Sequence, residues 1–203
     1  MHHWKKKINC ALCSLLLFFL TLALLPTMNA FAENRLKIGD RCSGEVLQVY
    51  DADTLLFQCD NHPPILVRLA GIDAPESTKK NKACWQQPFG DTATKLAQQR
   101  FLHQRFELEI KDRDQYHRWV SLLQDAEGHT ANEWLVAQGL AQVYRRYPHP
   151  QNWEMREQQA QQNRKGLWQN APSCIIPPDQ WRHRQESQRC EQLIQFQQQQ
   201  CLF

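Results

Sequence analysis

The chain has 203 residues, with 24 basic and 21 acidic side chains and a formal net charge of +3. The first 32 residues hold three lysines and no acid, so the remainder is formally neutral, with 21 basic (24 − 3) and 21 acidic side chains. This balance excludes attraction to a polyanion through the overall field, so any such attraction must come from a local cluster of arginine and lysine. The remaining 171 residues (203 − 32) suit one domain, which buries roughly 70% of its unfolded surface.

Residues 1–32 have the three parts of an export signal. They are a lysine-rich start, an apolar run over residues 12–25, and the small-x-small cleavage sequence Ala30-Phe31-Ala32. We therefore expect a cleaved signal and a periplasmic or secreted protein without stable membrane association. An uncleaved anchor is the alternative, because residues 8–25 approach the roughly 20 residues that span a bilayer.

The cysteines fit an exported protein. Cys10 and Cys13 lie in the predicted signal, so their Cys-x-x-Cys spacing carries no redox meaning. Six others follow: Cys42, Cys59, Cys84, Cys174, Cys190 and Cys201. An even number outside the cytoplasm predicts disulfides, with 15 possible pairings. We favour Cys42–Cys59, which flank a predicted hairpin, and Cys84–Cys174; zinc is disfavoured because no close cysteine pair remains.

Five strands are predicted in two groups. Residues 45–50, 54–58 and 65–72 are rich in Val, Ile and Leu and are separated by turn residues, which indicates a three-strand meander. Residues 106–110 and 119–123 form a second hairpin around a charged turn.

About three helices accompany these strands. Asp91 is expected to cap the first, whose apolar stripe is Ala93, Leu96, Ala97 and Phe101. Thr130 and Glu133 form a capping box for the second, which ends at Gly139. The third covers residues 151–164 and stops before Gly166.

The order of elements predicts an α+β, mainly β fold. Five strands with a helix between the third and the fourth are typical of a five-stranded Greek-key barrel of the oligonucleotide-binding (OB) type. A doubly wound parallel sheet is disfavoured because strands and helices do not alternate. We expect the catalytic or binding domain over residues 33–172, followed by a Gln- and Arg-rich extension over residues 173–203.

Two acidic residues follow the first predicted strand. Asp51 and Asp53 are two apart, so in an extended strand they share a face with roughly 6.6 Å of rise between them. Two carboxylates at such a short distance repel each other unless a cation lies between them. Oxygen donors without histidine or cysteine favour calcium or magnesium over zinc. The alternative is ordinary turn chemistry, in which Asp is common.

A second polar group closes the third predicted strand. Arg68 and Asp73 are five residues apart, an odd number that would place their side chains on opposite faces of an unbroken strand. They can meet at one site only if the chain bends between them. Gly71 allows such a bend, and Pro75 prevents the strand from continuing. Taken alone, Arg68 would be a surface ion-pair partner and Glu76 a solvated loop acid.

Arg118 enters the last strand beside Tyr116. Its guanidinium group can make the planar, two-pronged contact that suits phosphate oxygens. A solvated strand-end charge is the alternative. Aromatic rings stack on nucleic-acid bases, and Tyr116 and either Tyr144 or Tyr147, with Tyr147 favoured, are the candidates for this role.

Taken together, these segments resemble the staphylococcal nuclease (thermonuclease) family in order and spacing. The resemblance covers roughly residues 44–168. It rests on Asp51-x-Asp53-Thr54, Arg68-x4-Asp73-Ala-Pro-Glu76, Gln87-Pro-x-Gly90, Tyr116-x-Arg118, Gly139-Leu-Ala141 and Gly166-Leu-Trp168.

The resemblance implies an OB barrel with a calcium-dependent endonuclease site that cuts DNA and RNA and leaves 3′-phosphates. One calcium ion would be bound by Asp53, Asp73 and the main-chain carbonyl of Ala74, with Asp51 acting through water. The expected substrate is single-stranded or locally melted nucleic acid, and the expected state is a monomer.

The same resemblance gives the catalytic roles. Glu76 would orient or deprotonate the attacking water, while Arg68 and Arg118 would grip the phosphate. Ala52 and Ala74 depart from the pattern, because the family often has glycine and threonine at these positions. His117 lies where the family usually has glycine. If the turn at Ala52 needs a positive φ, alanine is less favourable there than glycine. The Ala74 ligand is unaffected by its side chain, since the backbone supplies the oxygen.

Two other functions remain open at this point. One is a non-catalytic module that binds nucleic acid or a protein on the same barrel. It is disfavoured because a binding module has no use for an activated water, and the chain carries together Asp53, Asp73, Arg68, Glu76 and Arg118. The other is an enzyme that docks to a second protein through its C-terminal extension.

Overall fold

The computed structural model describes residues 36–202. The predicted export signal and its cleavage sequence lie outside the described residues. Within residues 36–202, no helix has the length and apolar character needed to cross a membrane.

A closed five-stranded barrel forms the body of the protein, as the sequence predicts. Its strands pair in the order β1-β2-β3-β6-β5, where β3 and β6 are parallel and the other pairs are antiparallel. A separate two-stranded sheet pairs β4 with β7. The strands are β1 Arg41–Asp51, β2 Thr54–Cys59, β3 Ile65–Leu69, β4 Ile72–Asp73, β5 Arg105–Arg113, β6 Trp119–Gln124 and β7 Gln142–Val143.

Five α-helices lie in the described part of the chain. They are α1 Gly90–Phe101, α2 Ala131–Ala137, α3 Asn152–Gln162, α4 Pro178–His183 and α5 Glu186–Gln198. The first three are those the sequence predicts, and the other two belong to the C-terminal extension. Val46, Phe57 and Leu108 from the barrel pack in one buried core with Phe101 of α1 and Trp153 of α3.

The helix starts are partly as expected. Thr130 accepts a hydrogen bond from the Glu133 N–H at 3.2 Å, which confirms the Thr130 half of the capping box, while the Glu133 carboxylate contacts Asn152 and Arg156. The prediction that Asp91 caps α1 is wrong, because its carboxylate accepts the backbone N–H and the hydroxyl of Thr78, both at 2.7 Å. Leu96 is 38% exposed and does not belong to the buried stripe of α1.

The chain bends after β3, as the spacing of Arg68 and Asp73 requires. Gly71 has a φ of +71° and separates β3 from β4. A left-handed φ of this kind is accessible to glycine at little cost. The bend lets β4 leave the barrel, pair with β7 and return Asp73 towards Arg68.

Within residues 36–202, three disulfides join the six cysteines. Cys42–Cys59 is the expected bond across the first hairpin. The predicted Cys84–Cys174 pair is wrong: Cys84 is bonded to Cys190 of α5, and Cys174 is bonded to Cys201. Sequence spacing could not distinguish these pairings, because the partners meet only after the extension folds back. The extension has its own small core, in which Trp181 and Phe196 are fully buried.

Candidate active site

The two acidic residues Asp51 and Asp53 do not share one extended strand. Asp51 ends β1 and Asp53 lies in the turn before β2, so their expected spacing along one strand face is wrong. Asp51 forms an ion pair with Lys79 at 2.5 Å and accepts a hydrogen bond from the Ser77 hydroxyl. Asp53 is buried and accepts the Ala74 N–H at 2.7 Å.

Arg68 lies between two buried carboxylates. Its Nη1 is 2.6 Å from Asp53 Oδ2, and its Nη2 is 2.6 Å from Asp73 Oδ1. Nη2 also donates to the Ile72 carbonyl at 2.9 Å. Nη1 is buried, and the Asp53 carboxylate is its ion-pair partner.

Glu76 is buried on a loop that the Gln87 side chain holds in place. The Glu76 N–H donates to Gln87 Oε1 at 3.1 Å, and the Trp85 indole donates to Glu76 Oε2 at 2.7 Å. At Gly90, a Cβ would come 2.0 Å from the Glu76 carbonyl oxygen, so only glycine permits this approach. Burial raises the pKa of Glu76; the nearby Asp51 and Asp53 raise it further, whereas Arg182 opposes the shift.

Arg118 connects to the cluster through a hydroxyl. Its Nη1 donates to Thr54 Oγ1 at 3.1 Å, and that hydroxyl donates to Asp53 Oδ1 at 3.0 Å. Its Nε donates to Asp114 at 2.8 Å, which fixes the guanidinium plane. His117, the residue before it, has a φ of +62°, a conformation in which glycine is less strained.

The predicted base-stacking tyrosines are both exposed. Tyr116 is 69% exposed, and its ring centroid lies 5.5 Å from the Arg118 guanidinium carbon. Tyr147 is 48% exposed and stacks on Tyr144 with ring centroids 5.3 Å apart. The structure thus places Tyr116 next to an arginine of the cluster, whereas Tyr147 pairs with another tyrosine.

A second arginine, which sequence reasoning missed, lies against the carboxylates. Arg182 of α4 donates from Nη1 to Asp73 Oδ1 at 3.0 Å and to Glu76 Oε1 at 2.8 Å, and from Nη2 to Asp73 Oδ2 at 3.0 Å. Although burial disfavours its charged form, the hydrogen bonds that Arg182 donates to Asp73 and Glu76 raise the pKa of its guanidinium group. Burial also raises the pKa of Asp73, which Arg68 opposes.

The acidic side chains offer an all-oxygen donor set of the kind that calcium and magnesium prefer. Across residues 36–202, no group of three or more histidine, cysteine or acidic side chains is arranged so as to hold a metal ion directly. Guanidinium groups occupy the space between the carboxylates instead, Arg68 between Asp53 and Asp73 and Arg182 between Asp73 and Glu76. The carboxylates are therefore the right donor type for a hard cation, but in this structure arginine side chains are their partners.

The departure at Ala52 is accommodated. Ala52 is buried, and it is not among the described non-glycine residues with positive φ. Glycine is therefore not required at this turn. Ala74 contacts the site through its backbone, because its N–H donates to Asp53.

Sequence comparison agrees with this geometry. The family model described as "Staphylococcal nuclease homologue" matches residues 66–170, which is more than half of the chain. The chain belongs to the staphylococcal nuclease family.

Several relatives within this family are nucleases by name. A "Micrococcal nuclease" of Shigella flexneri is 33% identical over 154 residues, covering 71% of this chain and 81% of the relative. An "Uncharacterized endonuclease" of Escherichia coli O157:H7 is 29% identical over 70% of this chain and 85% of its own length. A "Thermonuclease" of Staphylococcus hyicus is 30% identical over 131 residues, covering 62% of this chain and 75% of the relative. Membership of the staphylococcal nuclease family supports an endonuclease, a hydrolase of nucleic acid.

Proposed function

We propose that the protein is a calcium-dependent endonuclease that hydrolyses phosphodiester bonds of DNA and RNA. The observation that carries this proposal is the cluster of three buried carboxylates, Asp53, Asp73 and Glu76, with the partly buried Arg68 between two of them. Arg118 is linked to this cluster through Thr54. Burying charges is costly unless they are paired, so a cluster of this kind indicates a site with a chemical task.

The metal ligands in this proposal are Asp53, Asp73 and the main-chain carbonyl of Ala74, with Asp51 acting through water. A bound calcium ion would supply charge to polarise the phosphoryl oxygen and orient the attacking water. The protein contributes the position of the donors: the hydrogen bond from Ala74 N–H to Asp53 ties the β1–β2 turn to the segment after β4.

Arg68 and Arg118 are the proposed phosphate-binding groups. A phosphate gains negative charge at its oxygens during the reaction, and fixed guanidinium forks stabilise that charge. Arg68 is held at this site by its ion pairs with Asp53 and Asp73, each at 2.6 Å. Asp114 accepts a hydrogen bond from Arg118 Nε and thereby orients the Arg118 guanidinium group for contact with a phosphate.

Glu76 is the proposed general base. One general base contributes only about 10²–10⁴-fold, whereas phosphate ester hydrolysis needs on the order of 20 kcal/mol of barrier reduction. Glu76 alone is therefore insufficient, which explains why the base, two guanidinium groups and a cation are needed together. The indole of Trp85 holds the Glu76 carboxylate in a defined orientation for this role.

Substrate and location follow from the same residues. Exposed rings at Tyr116 and Tyr147 are suited to stacking on unpaired bases, so single-stranded or locally melted DNA and RNA are the proposed substrates. Three disulfides fit an oxidising compartment, the periplasm or the medium. The protein is proposed to act there as a monomer.

Cleavage assays with and without calcium test the proposal. Oxidised protein is incubated with single-stranded DNA or RNA, with calcium or with a chelator, beside Glu76→Gln. We expect cutting only with calcium, and a rate about 10²–10⁴-fold lower in Glu76→Gln. Glu107→Gln, on an exposed ion pair with Arg41, is the matched control. Cutting in chelator would contradict the mechanism, and binding without cutting would favour a non-catalytic module.

A further inference from the structure

The C-terminal extension inserts a cation into the cluster of catalytic and metal-binding carboxylates. Arg182 makes hydrogen bonds to both oxygens of Asp73 and to one oxygen of Glu76, at distances of 2.8–3.0 Å. Arg68 binds Asp73 Oδ1 as well. Both oxygens of Asp73 are therefore occupied by guanidinium groups.

Arg182 is held in this position by a built structure. The neighbouring Trp181 is fully buried, and its indole donates to the Trp85 carbonyl at 2.6 Å. Trp85 in turn donates to Glu76, so the same tryptophan contacts both the extension and the general base. The disulfide between Cys84 and Cys190 fixes α5 beside this loop. The backbone that carries Arg182 is therefore fixed by a buried tryptophan, a hydrogen bond and a disulfide.

A divalent cation and Arg182 would compete for the same oxygens. Calcium needs Asp73 as an oxygen ligand, and a carboxylate that makes a two-pronged contact with a guanidinium cannot also face a metal in the same direction. When only a fraction of the molecules has the binding-competent arrangement, the apparent affinity falls by that fraction. The Arg182 side chain is 32% exposed, which leaves it a route to withdraw towards solvent.

We propose that Arg182 is an internal competitor of the divalent cation. Its guanidinium occupies Asp73 and Glu76 until calcium displaces it, and it thereby sets the calcium concentration at which the site is loaded. This inference rests on the proposed role of Asp73 as a calcium ligand. It assigns the C-terminal extension a function within the nuclease itself, as the part that carries the competing cation.

Calcium binding measured by isothermal titration calorimetry tests the inference without relying on activity. The titrant is calcium chloride, and the proteins are wild type, Arg182→Gln and Arg182→Lys. We expect Arg182→Gln to bind calcium about tenfold more tightly. Arg182→Lys should lie between the two, because an ammonium group retains the charge but lacks the fork.

Arg184→Gln is the matched control. Arg184 follows α4 and bonds to Gln192 rather than to the carboxylates, so its loss removes the same charge from the extension. Its calcium affinity should equal that of wild type. Equal or weaker calcium binding by Arg182→Gln, or an equal gain in Arg184→Gln, would overturn the inference.

The outcomes also separate this inference from the proposed function. If wild type binds calcium and cuts DNA but Arg182→Gln has the same calcium affinity, the competitor role alone is refuted. If Arg182→Gln cuts more slowly at saturating calcium and its affinity is unchanged, Arg182 acts on the phosphate and the inference is again refuted. If none of the variants binds calcium, both proposals fail.

Discussion

The barrel and the C-terminal extension place charges in the same cluster by different means. Arg68, Asp53 and Asp73 lie within 20 residues of one another, and strand pairing and the bend at Gly71 bring them together. Arg182 lies 109 residues beyond Asp73 and reaches it from a segment tied down by two disulfides and a small core around Trp181.

This difference shows two ways to position a charge beside buried carboxylates. The barrel residues depend on the hydrophobic core and on hydrogen bonds of the sheet, which form whenever the domain folds. The extension has few apolar residues, so covalent links supply much of what holds Arg182 in place. Perturbing each region separately should therefore give different results.

Breaking the link between the two regions should have the largest effect. In Cys84→Ser/Cys190→Ser, we expect the free energy of unfolding to fall by roughly 4–5 kcal/mol, because the bond spans 106 residues. Cys42→Ser/Cys59→Ser, which opens a span of 17 residues, should lose about 3 kcal/mol. Urea unfolding of the oxidised proteins measures both. A smaller loss in the first variant than in the second would contradict this account of the extension.

A change on the barrel side should affect turnover. Arg68→Lys retains the charge but loses the planar fork, and we expect kcat to fall about 10²–10³-fold, the usual cost of removing one fixed donor to a developing charge. Initial rates on a labelled oligonucleotide at saturating calcium measure this loss. Arg105→Lys, on an exposed ion pair with Asp60, is the control and should keep normal turnover. Near-normal turnover in Arg68→Lys would remove it from the mechanism.

The exposed rings should have a moderate effect on substrate binding. Tyr116→Ala and Tyr147→Ala should each weaken binding of single-stranded DNA by about 1–3 kcal/mol, the value of one stacked base. Fluorescence anisotropy in the presence of chelator measures binding without cutting. Tyr116→Phe keeps the ring and should bind like wild type. If Tyr116→Ala binds equally well, the ring does not contact bases.

The turn before Arg118 should show the smallest effect. His117→Gly relieves a left-handed φ of +62° that costs a residue with a side chain roughly 1–2 kcal/mol. Glycine loses more backbone entropy on folding than histidine does, which offsets about 0.5–1 kcal/mol of this gain. We therefore expect a gain of between about 0 and 1.5 kcal/mol in the free energy of unfolding, measured by thermal denaturation. A clear loss would show that the imidazole makes a stabilising contact.

The sequence predicted the parts of the fold that local signals encode. Strands alternate apolar and polar residues, Thr130 caps α2, and the spacing of Arg68 and Asp73 requires the bend found at Gly71. Asp91 was misassigned because an acidic residue near a helix start can bind another segment, here Thr78, as well as the helix itself.

Most of what the sequence could not predict involves the extension. Cys84 pairs with Cys190, and Arg182 reaches Asp73, through contacts between segments about 100 residues apart. No local pattern encodes such pairings. Trp181 in a Gln-rich segment was the available signal, since a large aromatic residue there indicates burial and therefore docking onto the body.

The dependence of cleavage on calcium tests the central claim most directly. Single-stranded DNA is cut by wild type, Asp73→Asn and the control Asp60→Asn over a range of calcium concentrations. We expect wild type and Asp60→Asn to share one half-saturating concentration, and Asp73→Asn to need at least about tenfold more calcium or to lose cutting, because a charged oxygen ligand is removed. Cutting without calcium, or an unchanged calcium requirement in Asp73→Asn, would contradict the account.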